Sequence, residues 1–242
     1  MASAAGRSLA PSRSPRTRHS VGLLSDPAEG IGSALAVKIT RILKYGSQGG
    51  PFLALLRKEA DLVAGAAVLL AEGTRDGATA REAVVDLVLD SSRQARQLQD
   101  ILTTQLCSTA FAPLTQEEIR MLSVSLRKIL DNLVVAGATP LNLLGRSEAG
   151  LHEASHHCAV AITCAISALP DGKGLTGHTA SITSSARQAS RLLRDCETEI
   201  LLRSADPTSV LRRMQAIRAM RSLFRSYRQM ARVLERALLR NS

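Results

Sequence analysis

Two groups of residues in this sequence have the types and spacing to do chemistry. The first is HEASHHC at 152–158, which matches HExxH. His152 and His156 stand four residues apart, so both imidazoles fall on one face of a helix, with Glu153 between them in sequence. In zinc peptidases that arrangement holds the metal through the two histidines while the glutamate activates the bound water. The longer signature fails here, because Ala159 and His157 do not fit HxxGxxH. No nearby glutamate is expected to offer a third ligand, and Glu197 and Glu199 belong to the next helix. The competing account is a polar helix face that carries histidines without a metal. The sequence favours that account and implies no cofactor.

The second group is LRRMQAIRAMRSLFRSYRQMARVLERALLR at 211–240. Arginines at 218, 221, 225, 228, 232, 236 and 240 follow one another in steps of three or four, which aligns them along one stripe of a helix. Beside them Ile217, Met220, Phe224, Tyr227, Ala231, Leu234 and Leu238 form a second, almost wholly apolar stripe. One seam is expected to be buried and a ladder of guanidinium groups to run along its edge. Such forks suit bidentate contact with phosphate or carboxylate oxygens. A run of charge is also commonly a solvated face whose stems cover the seam.

Helices must position both groups, and the pattern supplies them. Phe52 to Gly73 is apolar at helical spacing, and a second long helix runs from about Ala80 to Ser108. A third begins at Thr115, with Glu118 three residues on as in a capping box, and ends near Ala136. Ser147 to Leu169 is the fourth, closed by PDGKG, and Thr176 to Arg203 the fifth. Asp206 and Pro207 open the sixth. A short lead-in helix is expected from Ser33 to Lys44, stopped by GSQGGP. Pro113-Leu114-Thr115 and Pro207-Thr208-Ser209 hold equivalent places in two sets of three helices, a sign of internal duplication. The expected fold is all-α, two antiparallel three-helix bundles packed together. Bundle one would span about 51–137 and bundle two about 147–240, within a helical domain of 33–242.

Composition agrees. Of 242 residues, 45% are hydrophobic but only 2% aromatic, an aliphatic balance that favours helix over strand. A formal charge of +10 points to an anionic partner: phosphate, polyphosphate, nucleic acid or an acidic membrane face. With three Phe, two Tyr and no Trp there is little to stack on bases, which argues against single-stranded nucleic acid. Cys107, Cys158, Cys164 and Cys196 form no CxxC pair and read as small buried hydrophobes in a reducing compartment. No apolar run is long enough to span a bilayer. Residues 1–20 carry four Arg and no acid, and 1–32 is expected to be a disordered basic arm; an organelle transit peptide shares that composition. The expected location is cytoplasmic, with peripheral attachment at the inner membrane face as a variant, and a homo-oligomer is left open.

Three segments resemble landmarks of one family. FLALLRKEADLVAGAAVLLAE at 52–72, AFAPLTQEEIRMLSVSLRKILDNL at 110–133 and DPTSVL at 206–211 are similar to the PhoU-like proteins that accompany low-affinity, Pit-type phosphate transporters. The resemblance covers about residues 50–240, and its most specific piece is the helix start Pro113 to Ile119. It implies six helices in two bundles, a phosphate transporter as partner, and a role in regulating or assisting transport. It also implies metal-binding acidic motifs, and there the sequence departs. The expected acids fall on Ser92 and Arg96 in the second helix, and on Arg127, Lys128 and Asp131 in the third. In the fifth they fall on Ala186 and Ser190, and in the sixth on Arg221 and Arg225. A cation needs several anionic oxygens, and Asp131 alone cannot hold a cluster. Arginines thus stand where relatives carry carboxylates. The expectation is that Arg96, Arg127, Arg221, Arg225 and Arg228 converge on a groove that takes an anion. The function expected is a non-enzymatic accessory of phosphate transport. The alternatives are a zinc hydrolase built on His152, Glu153 and His156, and a general binder of polyphosphate or nucleic acid.

Overall fold

Thr115 shows how closely local chemistry sets this architecture. Its hydroxyl accepts the Glu118 backbone N–H at 3.2 Å, while the Glu118 carboxylate accepts the Thr115 N–H at 2.8 Å. The two bonds close the capping box and satisfy two of the otherwise orphaned donors of the helix start. The computed structural model describes residues 50–73, 78–106, 114–139, 141–203 and 206–241. The basic arm, the Ser33 to Lys44 lead-in, Cys107 and Pro113 lie outside the described residues.

The helices are α1 (Gly50–Gly73), α2 (Ala78–Leu106), α3 (Gln116–Ala138), α4 (Ser147–Ala168), α5 (Leu175–Arg203) and α6 (Pro207–Asn241), with a 3-10 turn at Leu141–Leu144. The fold is all-α, and the boundaries follow the sequence pattern within about two residues. α1 begins earlier than its first apolar residue, since Pro51 fits a first turn, where its missing N–H is not needed. The PDGKG turn closes α4 as expected, with Gly172 at φ +65 and Gly174 at φ +76, a left-handed backbone that side chains rarely adopt.

Each set of three helices packs together: α1, α2 and α3 touch pairwise, and so do α4, α5 and α6. The sets meet through α1 on α4 and α3 on α6, so corresponding helices face each other. That pattern is compatible with two bundles related by an internal duplication. α2 lies on α1 and α3, and α5 on α4 and α6.

A continuous aliphatic core fills the space between. Polar pairs cross it at the seams. Ser155 on α4 and Tyr227 on α6 share a buried hydrogen bond of 2.9 Å. Burial, more than the nearby Cys158, pushes the Tyr227 hydroxyl well above the usual tyrosine range, and the Ser155 bond opposes this. At the α3–α6 seam Asn132 donates to Ser226 at 2.7 Å and accepts from Ser222 at 2.8 Å. At the α1–α4 seam Thr163 donates to the Ala60 carbonyl at 3.3 Å and Arg57 to the Ser167 carbonyl at 3.2 Å. Glu59 on α1 is also buried, and its Oε1 accepts from the Ser123 hydroxyl of α3 at 2.9 Å. Burial raises its carboxyl to about 7 against the pull of that bond. Among the described cysteines, Cys158 and Cys196 are buried thiols and Cys164 is exposed, all free. Burial pushes the Cys158 thiol up to about 12. Among the described residues no helix is long and apolar enough to cross a membrane.

Candidate functional site: the arginines of α6 and the α1–α4 cleft

α6 divides as its sequence divides. Ile217, Met220, Phe224, Tyr227, Ala231 and Leu234 are buried, and Leu238 packs partly against them. The buried face is wider than the apolar stripe alone, because Leu223, Met230, Val233 and Ala237 join it. α6 is clasped by α5 on one side and α3 on the other, with α4 also touching it, so it buries more than one stripe. What is left to solvent is largely arginine: Arg218, Arg225, Arg228, Arg232 and Arg236 are exposed. Residues 207–241 hold nine Arg against a single acid, Glu235, so the exposed strip is strongly positive.

The arginines expected to line a groove have different partners in the structure. Across α2 and α3, Asp131 is the meeting point. Its Oδ1 accepts from the buried Ser92 hydroxyl at 3.0 Å and lies 3.6 Å from Arg96, and its Oδ2 lies 3.9 Å from Arg127. Arg127 also donates to the side-chain amide oxygen Oε1 of Gln99 at 2.9 Å. Ser92, Arg96, Arg127 and Asp131 are therefore brought together, with two guanidinium groups around one carboxylate. About half of the Arg96 and Asp131 side chains is in water, so each pair is worth about 0–1 kcal/mol.

Arg221 is engaged on the other helix pair. It makes a bidentate contact with Glu197 of α5, one arm at 3.2 Å and the other shorter. The Arg221 hydrogen bond holds the Glu197 carboxyl below the usual glutamate range, more strongly than partial burial raises it, with the charge of the guanidinium adding to the effect. Ala186 is buried and Ser190 turns its hydroxyl back to the Ala186 carbonyl, so neither joins that contact. Arg225 and Arg228 remain exposed beside it.

The HExxH residues lie on a cleft of about 750 Å³ between α1 and α4. Glu72 stands on its α1 wall, and Arg146, Glu148, His152, Glu153 and His156 on the side of α4 and the turn before it. Glu148, a helical turn before His152, reaches within 3.8 Å of its Nε2, so a carboxylate does adjoin the histidine pair. The i, i+4 spacing carried that signal. His152 is buried, Glu153 is exposed at the rim, and the Nδ1 of His156 is enclosed without a hydrogen-bond partner among the described residues. Three imidazoles and three carboxylates share the cleft wall. Yet among the described residues no three His, Cys, Asp or Glu side chains are placed to hold a metal ion together.

No protein-family model matches the chain, and no curated protein matches it.

Proposed function

We propose that this chain is a non-enzymatic protein that docks onto anions through α6 and, on its resemblance to PhoU-like proteins, serves as an accessory of phosphate transport. One observation carries the anion-binding half. The apolar stripe of α6 is buried, while Arg218, Arg225, Arg228, Arg232 and Arg236 stay in solvent with Glu235 as the only acid of the helix. From Arg225 to Arg236 the guanidinium groups stand about one turn apart and repeat every 5–6 Å, a spacing that successive phosphates can follow. The Asp131 cluster keeps one surplus positive charge and is a secondary contact. Arg221 is already committed to Glu197 and contributes little. The transport role rests on the resemblance, which is analogy and not a property of the site.

Polyphosphate binding across a salt series tests the proposal. Arg225→Glu with Arg228→Glu should remove most binding and flatten its salt dependence, since fewer counterions would be displaced. Arg13→Glu with Arg16→Glu removes equal charge from the arm and should do much less. Equal loss in both double variants would reduce α6 to one part of a diffuse positive field. Binding unchanged by the α6 pair would end the proposal.

A further inference from the structure

The exposed strip of α6 is not purely cationic. At successive steps of seven stand Leu211, Arg218, Arg225, Arg232 and Leu239. All five are exposed, and the end leucines lie 57% and 75% in solvent. A step of seven falls only about 20° short of two full turns, so this row stays on one side of the helix over about 42 Å. It reads leucine, three arginines, leucine. Arg218, Arg225 and Arg232 meet no carboxylate among the described residues. Alongside, a groove of about 290 Å³ separates α6 from α3. Its walls pair cations with apolar groups: Arg120, Lys128, Met121 and Val124 from α3, Gln229 and Val233 from α6. Val124 is itself 46% exposed.

The partner must satisfy both chemistries. A second copy of the chain fails, because matching this row with itself in parallel or antiparallel sets arginine against arginine at the centre. A soluble polyanion would answer the arginines and leave both leucines in water. A bilayer containing anionic lipids offers phosphates at the depth of the guanidinium groups and hydrocarbon just beneath, where leucine side chains are stabilised. We infer that the α3–α6 face of this protein docks on an anionic phospholipid surface. Arg218, Arg225 and Arg232 contact the headgroup phosphates, and Leu211, Leu239 and Val124 reach the acyl boundary. The attachment is peripheral and lies along the helix. This inference rests on the anion-binding role proposed for α6 and names its partner.

The test uses the full chain with two probes. One is vesicles of phosphatidylcholine with or without phosphatidylglycerol, followed by co-sedimentation across a salt series; the other is polyphosphate. The protein should sediment with the anionic vesicles and not with the neutral ones. Leu211→Ser with Leu239→Ser should weaken vesicle binding roughly tenfold and leave polyphosphate binding unchanged. Arg225→Glu with Arg232→Glu should weaken both, by at least about fivefold for each arginine on vesicles, since each change reverses a charge. Circular dichroism of each variant confirms that the helices remain. Polyphosphate bound but vesicles ignored, or vesicle binding indifferent to the leucines, would overturn the bilayer inference and leave the anion-binding role intact; an acidic protein surface then becomes the occupant. Failure to bind either probe would overturn both.

Discussion

Replacing Glu59 by Gln should make this protein more stable at neutral and alkaline pH and leave it nearly unchanged in acid. Glu59 is 1% exposed on α1, and one of its oxygens has only the Ser123 hydroxyl, at 2.9 Å, while Oε2 is buried without a partner. Burial therefore raises the carboxyl from 4.5 to about 7, the Ser123 bond recovering only part of the effect. Below 4.5 the folded and unfolded chains both hold the proton, and the group costs nothing. Between 4.5 and about 7 the unfolded chain has released it while the folded chain keeps it, so stability falls as pH rises. The slope is about 1.4 kcal/mol per pH unit, and over that window the loss reaches about 3 kcal/mol, complete once pH passes the folded value. Glutamine fills the same volume, still accepts from Ser123 and does not titrate. Chemical denaturation of both proteins from below pH 4.5 to above pH 7 gives the difference directly. Other titrating groups, including Glu197 with its opposite sign, cancel in that difference. Two results would refute the reasoning: a gap that stays constant with pH, or a native chain that gains on the variant as pH rises. Either would mean that water reaches the Glu59 carboxylate.

The remaining predictions concern packing and metal. Phe224→Ala should destabilise by about 3–5 kcal/mol, because the ring is fully enclosed, and Arg232→Ala by no more than about 0.5 kcal/mol; similar effects on thermal unfolding would mean that the seam of α6 is misplaced. Gly73→Ala should cost about 1–3 kcal/mol, since a Cβ there would stand 2.5 Å from a methyl of Val84, whose Cβ is only 3.0 Å away; an unchanged midpoint in denaturant would show that the α1–α2 turn yields freely. Elemental analysis of protein purified without chelator should find no stoichiometric zinc, iron or magnesium. An equivalent of metal that His152→Ala removes would turn the α1–α4 cleft into a metal centre and reopen the hydrolase alternative.

Much of this molecule was legible before folding was considered. Helix starts and stops depend on neighbours three and four residues away, so Thr115 with Glu118, and the glycines of PDGKG, announce themselves in the chain. The seam of α6 was legible for the same reason: Ile217, Phe224 and Leu234 repeat at helical period, and any neighbour would bury that stripe. The pattern also separated the exposed arginines from it. What the period could not give was which charges are answered. Arg221 meets Glu197 across α5, and Arg96 and Arg127 share Asp131 across α2 and α3, pairings set by how the helices pack. The burial of Glu59 needed the same knowledge, since Glu59 stands among Arg57, Lys58 and Asp61 in the sequence and only the packing of α3 covers it. The α1–α4 cleft needed it too, because Glu72 and His156 lie far apart in sequence and share a wall only when two helices meet. Secondary structure follows from short-range hydrogen bonds and side-chain period, which any stretch of chain carries by itself. Ion pairing, burial and cavities depend on distances between segments, and those exist only once the helices are packed.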